Sequence, residues 1–497
     1  MSEKQTSTAV IWTLASRQSE RVVGIISIAI LARLLTPADF GVVGMASGAV
    51  ALIEVFSAFG FDWAVVRLAA PTRTHYDTAW TMRVMLGVFT AAALLLLAGP
   101  VAAFYGAPKV RYVLMALAAN SLIGSFENIG MANFRREMRF EKEFQLQLAT
   151  KLSGFVASVL VALEFRSYWA LVAGLTASRI ATVIGSFVMS SYRPRWCLAA
   201  RAELMSFSLW VLASNLMEVV RAKFSEVYVG RVFGPHEVGL YNMAAELSAL
   251  ATTEFAAPIN RVAFTRYAQY RGDQARLRES FLKVSGLIWG VGFPASVGIG
   301  VCASEIVLVL LGAQWEDSAL LVQVLAAAGV LAVMGANSHY VYQAIGRARF
   351  VATLSMIGAG LFIPLTIVLG RQFGVTGVAG AQVIAGFVVL VINYVVLLKT
   401  LELSIWTVMS RNWRIGAASV VMAFAVLDVR GWLLDTPGIS TIVRLALMIA
   451  AGVGTYVVAS FVLWMLTGRP QGPEREGVEL ARQWLGRRAA SGPGAGS

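Results

Sequence analysis

Charge is what this sequence has little of. Only 14% of its 497 residues are Asp, Glu, Lys or Arg, against roughly a quarter in soluble domains. An ordinary soluble domain is thereby excluded, because its surface would need more charge than this. Cysteine is nearly absent too. Cys197 and Cys302 stand far apart, so they give neither a disulfide framework nor metal-ligand spacing. The three histidines, His75, His236 and His339, are scattered along the chain, and no metal cluster is expected. No Gly-rich phosphate loop of the P-loop kind occurs, so ATP is not the direct energy source.

What fills the chain is apolar. Hydrophobic residues make up 58% and the mean hydropathy is +0.70. Apolar runs of about 20 residues, the length that spans a bilayer, recur almost end to end. A transmembrane β-barrel would show short alternating segments instead. The pattern predicts an all-α polytopic membrane protein. The net charge of +13 suits topology and anionic membrane lipids better than nucleic acid, since the connections are too short for a reading module. The N-terminus shows no small-residue cleavage site after a clean apolar core, so the first helix is expected to stay.

About fourteen spans follow from the apolar runs, at roughly 10–35, 39–66, 80–104, 112–133, 144–164, 167–190, 205–233, 237–262, 282–311, 317–345, 350–370, 374–398, 411–429 and 440–466. Alternate connections are rich in Lys and Arg, among them Arg135, Arg136, Arg139 and Lys142, then Arg193, Arg195 and Arg201, then Arg266, Arg271, Arg276, Arg278 and Lys283. The opposite set is poor, and the rich side is cytoplasmic. Both termini are then cytoplasmic, which requires an even number of spans.

One stretch occurs twice. Trp12–Ala46 lies without a gap on Trp210–Ala244, 198 positions on, with twelve identities in 35 positions. Pro37/Pro235 and Gly41/Gly239 are among the identical pairs, and Asp39/Glu237 is a conservative one. The copies open spans 1 and 7, six spans apart, so they cross in the same direction. That is a parallel repeat. Residues 1–200 and 201–400 then form two six-helix lobes, followed by two further helices in 401–466 and a cytoplasmic tail, 467–497. Within the tail, Val478, Ala481, Trp484 and Leu485 share a helical face, which suits a helix lying on the inner leaflet.

Several charges fall inside spans, where they are costly and point to a wet cavity or a partner. Span 1 carries Arg17, Glu20 and Arg21, and span 7 carries Glu218, Arg221 and Lys223 at similar depth. Arg179 is midway along span 6 and Lys151 well inside span 5. The cations read either as snorkelling or paired charges, or as a cationic cavity for a diphosphate or acidic sugar. Arg suits phosphate because its planar fork makes two hydrogen bonds. Arg83 reads as interfacial. Glu54 in span 2 and Glu254 in span 8, with Glu20 and Glu218, are candidate proton or ion carriers, since a lone carboxylate in low dielectric tends to protonate. The alternative for each is a salt bridge. Beside His339 stand Asn337, Tyr340 and Tyr342, either a sugar-facing patch or a satisfied buried histidine.

The segment Leu34-Leu-Thr-Pro-Ala-Asp-Phe-Gly41, its second copy Val232–Tyr241, the basic Asn133–Arg139 connection and the span count resemble the bacterial Wzx-type polysaccharide flippases. These belong to the multidrug/oligosaccharidyl-lipid/polysaccharide superfamily, whose fold is MATE-like. The resemblance implies transport of an undecaprenyl-diphosphate-linked oligosaccharide across the bacterial inner membrane by alternating access. It further implies a proton or sodium gradient or no coupling ion at all, no cofactor, and a polysaccharide polymerase and chain-length regulator as partners. Lipid II flippases and MATE-like small-molecule exporters share the superfamily and stay open as alternatives. A membrane-embedded polymerase or ligase fits less well, because the outer connections, such as Gly312–Asp317, are too short to display catalytic residues. No enzyme activity is expected.

Overall fold

The computed structural model describes residues 3–55, 61, 65, 68, 71–137, 139–436, 438–469, 472 and 474; within its helices, the side chains of 3–11, 13–17, 135, 204–218, 221, 251–258, 261, 262 and 348 lie outside that description. The amphipathic tail segment 478–485 also lies outside the described residues.

Helix dominates the described residues. The order is α1 (Glu3–Leu34), α2 (Pro37–Glu54), α3 (Arg73–Tyr105), α4 (Lys109–Ser125), α5 (Met131–Arg136), α6 (Phe140–Phe165), α7 (Trp169–Met189) and α8 (Arg201–Phe233). Next come α9 (Pro235–Gln269), α10 (Gln274–Val301), α11 (Ala303–Leu310), α12 (Ser318–Gly335), α13 (Ser338–Ala344), α14 (Ala348–Leu401), α15 (Ile405–Asp435) and α16 (Thr441–Leu466). Among the described residues, nine helices are long and apolar enough to cross a bilayer. Only closed secondary structure can do so, because hydrocarbon leaves a free N–H or C=O without a partner. This is a polytopic helical membrane protein.

Two departures from unbroken spans are physical. The expected span 317–345 is interrupted between α12 and α13, where Asn337 turns inward. It accepts from the Tyr267 hydroxyl at 2.8 Å and donates to Ser285 Oγ at 2.9 Å. Within α14 the chain reverses at Gly374, whose φ of 65° is left-handed, a conformation open to glycine at little cost. The expected spans 350–370 and 374–398 therefore meet with almost no loop.

Contacts gather the chain into two compact units, Met1–Asn242 with Leu310–Trp315, and Met243–Val309 with Glu316–Ser497. The first unit explains the repeated Pro-x-x-x-Gly. Pro37 opens α2 behind an N-cap, Thr36, whose hydroxyl and backbone N–H both pair with Asp39. Proline is tolerated there because the first N–H of a helix has no intrahelical partner. Pro235 likewise stands first in α9, after Gly234, which has no side chain to cap with. The two glycines then close on the two prolines. A Cβ on Gly41 would stand 1.6 Å from the Pro235 carbonyl oxygen, and one on Gly239 would stand 1.9 Å from that of Pro37. The repeat thus records a reciprocal backbone-to-backbone contact.

Other parts of this unit are pinned by side chains. Trp315, fully buried, donates its indole N–H to the Ala32 carbonyl at 2.8 Å, and Gln314 donates to the Leu35 carbonyl at 3.0 Å. The free carbonyls ending α1 are satisfied this way. The 190–200 connection is extended and strapped along α3. Asp77 accepts from the Tyr192 hydroxyl and from Arg195 N, Thr81 Oγ1 accepts from Cys197 N, and Thr78 Oγ1 accepts from Ala200 N. Burial and the Asp77 carboxylate hold the Tyr192 phenol well above its usual range. In the second unit, the core centres on Tyr267, Phe281, Trp289, Tyr342 and Tyr394.

Gly41→Ala and Gly239→Ala should each cut the yield of monodisperse protein and lower Tm, by about 1–3 kcal/mol or more of overpacking. Gly99→Ala, where a Cβ meets nothing within 4 Å, should change neither. Size-exclusion profiles and thermal melts in detergent separate the two outcomes.

Candidate functional site

The first unit holds a polar cavity of about 410 Å³. Its walls come from α1, α6 and α7, with Glu127 and Met131 closing it from the segment between α4 and α6. The sequence builds it by helical spacing. On α6, Glu143, Leu146, Gln147, Thr150 and Lys151 follow at three- and four-residue steps and share a face. Facing them on α7 are Ser178 and Thr182, and Glu20 comes from α1. The outward side of α6 is apolar, with Leu152, Val156 and Leu160 exposed, as a lipid-facing stripe should be.

Small residues bring the walls together. Gly154 and Ser158 on α6 meet Gly174 and Ser178 on α7. A Cβ on Gly174 would stand 1.8 Å from Ser158 Oγ, and one on Gly154 would stand 2.0 Å from Ser178 Oγ. Small residues four apart let helix backbones close up without a hydrophobic drive, which lipid cannot supply. The result fixes the cavity's hydroxyls. Ser178 donates to the Thr150 carbonyl at 3.2 Å, and the Thr150 and Thr182 hydroxyls bond to each other at 3.1 Å.

The residues singled out from sequence are distributed unevenly. Glu20 and Lys151 line the cavity together. The Lys151 ammonium reaches α1, 3.9 Å from where a Cβ on Gly24 would stand, and among the described residues it has no ion-pair partner. Arg179 is next to Ser178 but points elsewhere; its side chain is exposed and packs over Gly124 on α4. Arg21 is half-buried on α1, outside the lining given by the described residues. Lys223 is engaged: its ammonium is 2.8 Å from the buried carboxylate of Glu226, which also accepts from Asn242 at 3.2 Å. Glu54 accepts from the Ser121 hydroxyl at 2.5 Å. The side chains of Arg17, Glu218, Arg221 and Glu254 lie outside the described residues.

Arg83 has a partner on the cavity wall. It pairs with Glu127 at 2.5 Å and donates to the Gly124 carbonyl at 3.2 Å, so it neutralises a carboxylate of the cavity wall and satisfies an end carbonyl of α4 at once. His339 is exposed while Asn337 and Tyr342 are buried in core hydrogen bonds. Their side chains do not form one patch, and the histidine is not a buried one. The hydroxyl and amide groups of Gln147, Thr150, Ser178 and Thr182 were not singled out beforehand. The polar stripe at i, i+4, i+7 and i+8 from Glu143 on α6 was the signal that could have found them.

Arg83→Ala should lower stability by about 1.5–3 kcal/mol, the worth of a hydrogen bond to a charged group, and Glu127→Gln in the same chain should restore most of it. Arg179→Ala should fold as well as wild type, because no carboxylate among the described residues depends on it. Thermal melts of the purified variants check both statements.

With the fold and the cavity in hand, known proteins can be compared. The family model described as "Polysaccharide biosynthesis protein" matches residues 30–320, more than half of the chain. The lipopolysaccharide biosynthesis protein WzxC of Escherichia coli (strain K12) is 23% identical over 384 residues, covering 76% of this chain and 77% of that one. The succinoglycan biosynthesis transport protein ExoT of Rhizobium meliloti (strain 1021) is 24% identical over 307 residues, 61% of this chain and 62% of that one. Among solved structures, the lipid II flippase MurJ in an inward closed conformation aligns with a TM-score of 0.73 at 12% identity, covering 92% of this chain and 99% of that chain. At that identity the likeness speaks for a shared fold. By the family match over most of its first two-thirds, this chain belongs to the polysaccharide biosynthesis protein family.

Proposed function

We propose that the protein is a flippase. It carries an undecaprenyl-diphosphate-linked oligosaccharide repeat unit from the inner to the outer leaflet of the bacterial inner membrane. Exopolysaccharide, capsule or O-antigen assembly would use the product. The observation that carries this reading is a polar cavity walled by α1, α6 and α7 inside a unit whose outward α6 face is apolar. A bilayer protein that gathers polar and charged side chains from several helices around one cavity needs them for something that passes or binds there. Membership of a polysaccharide biosynthesis family points to a sugar-bearing cargo and away from a small drug, and the relatives named for lipopolysaccharide and succinoglycan biosynthesis favour a polysaccharide repeat unit over lipid II. ExoT, named as a transport protein of succinoglycan biosynthesis, supports a transporter rather than an enzyme.

The same reading covers mechanism and setting. Two parallel-repeat lobes would rock between inward- and outward-open states in alternating access, with both termini in the cytoplasm and fourteen spans. Exposed Arg193, Arg195 and Trp196 on the strapped 190–200 connection would rest against anionic lipid. A polysaccharide polymerase and chain-length regulator would receive the cargo. Where a proton gradient drives the cycle, Glu54 is our candidate carrier, since its described partner is a neutral hydroxyl that does not fix its charge.

Deleting the gene should stop polymer export and leave the lipid-linked oligosaccharide in the inner leaflet, where membrane-impermeant sugar-modifying reagents do not reach it in intact cells. Continued export would rule the flippase out. A reporter at the C-terminus or after Arg201 should read cytoplasmic, and one at Pro235 should read periplasmic. Glu54→Gln should remove the pH dependence of transport, because the amide keeps the shape and cannot release a proton; an unchanged pH profile excludes Glu54 as carrier.

A further inference from the structure

We propose that the cavity between α1, α6 and α7 takes an uncharged sugar ring of the glycan, and that the diphosphate binds elsewhere. The proposal rests on the flippase reading above and goes beyond it by assigning one chemical part of the cargo to one place.

The argument is a match of donors and acceptors. A phosphate offers acceptors only, and a metal ion or ammonium needs acceptors only. A sugar hydroxyl donates and accepts at once. The cavity has both kinds of partner. Glu20 and Glu143 can accept, Lys151 can donate, and the Gln147 amide carries both kinds of group. Thr182 already donates to the Ser178 carbonyl at 2.9 Å and the Thr150–Thr182 bond then uses the Thr150 proton, so these two hydroxyls offer acceptors. Facing carboxylates make a poor berth for a diphosphate, and the Lys151 ammonium makes a poor berth for a cation. A polyol is the ligand class that uses the whole set.

Shape and rigidity agree with this. Leu146 and Met131 give the cavity an apolar patch, which suits the C–H face of a pyranose. A volume of about 410 Å³ lies near the lower end of small-ligand pockets, roughly 300–1,000 Å³. That leaves room for a small glycan segment and not for a whole repeat unit with its lipid. Thr150, Ser178 and Thr182 are held in place by their own hydrogen bonds and by the Gly154–Ser178 and Gly174–Ser158 contacts, so little ordering remains to be done when a ligand arrives. Lys151, which has no ion-pair partner among the described residues, can turn to a ring hydroxyl without breaking a pair.

The test uses the full-length protein in detergent and the strain's own repeat-unit oligosaccharide, freed from its lipid and phosphates by mild acid. The oligosaccharide should bind wild type in a calorimetric or fluorescence titration. A hundredfold excess of inorganic pyrophosphate should not compete. Thr182→Val and Lys151→Met, which remove the polar group at nearly constant side-chain volume, should each weaken binding about tenfold, the order expected for losing one hydrogen bond to a charged or well-placed group. Leu160→Ala on the outward face should leave affinity unchanged. No binding to monodisperse wild type, competition by pyrophosphate, or unaltered affinity in both cavity variants would each overturn the assignment. The pyrophosphate arm uses wild type alone, so it stands even where a variant fails to fold. If the deletion strain stops exporting polymer and the oligosaccharide still does not bind, only the cavity assignment falls. If the deletion strain goes on exporting, the flippase reading itself falls.

Discussion

Close backbone approach is the constraint on which the first unit depends. Gly41 lies on the Pro235 carbonyl and Gly239 on the Pro37 carbonyl, and neither contact leaves space for a methyl group. Lipid gives helices no hydrophobic reason to associate, so van der Waals fit has to supply it. The same device recurs at Gly154, Ser158, Gly174 and Ser178, where it joins α6 to α7. It is this second seam that sets the cavity's hydroxyls at their positions. Packing and site are therefore one arrangement, and a change at a glycine far from the cavity would still be felt in it.

Charge inside the helices is handled by pairing. Glu226 is buried and tied to Lys223 and Asn242, Glu305 is buried and 2.8 Å from Arg430, and Arg414, 2% exposed, is gripped by Glu474 at 2.9 Å. Each pair removes the penalty of an isolated buried charge without adding much stability of its own. Lys151 differs from these buried charges: it is exposed at the cavity, and among the described residues it has no ion-pair partner.

A polar cavity reached from several helices also fits a transporter better than a catalyst. Translocation needs many moderate contacts that can be exchanged between states, because a ligand held equally well in both states shifts nothing. The lining consists of groups of that kind, among them hydroxyls, an amide and carboxylates with one ammonium. A glycan part in this cavity and a diphosphate at another site would divide the cargo's recognition by chemistry. Sugar hydroxyls would set which glycan is accepted, and phosphate contacts would serve any cargo on the same carrier.

The class of protein, the helical architecture and the repeated Pro37/Pro235 and Gly41/Gly239 pairs were legible in the chain itself; that each glycine closes on the other copy's proline was not. Apolar runs of bilayer length determine helices because hydrocarbon forbids unpaired backbone, and the Pro37/Pro235 and Gly41/Gly239 repeat marks a contact that needs the same residues on both sides. Glu20 and Lys151 stood out as charges within apolar runs, and both line the cavity. Which way a charge points was decided only in three dimensions. Arg179 and Ser178 are neighbours in sequence, yet one packs over Gly124 and the other faces the cavity, because successive residues on a helix differ by about 100° and the seam with α6 chooses the face. Arg83 reads as interfacial, and only the fold shows that Glu127 is its partner at 2.5 Å; Asn337 reads as a sugar-facing amide until Tyr267 and Ser285 claim it. Length, hydropathy and repeat are properties of the chain taken singly, so the sequence determines them. Partner choice depends on which helices the small residues allow to touch, and only the tertiary structure decides that.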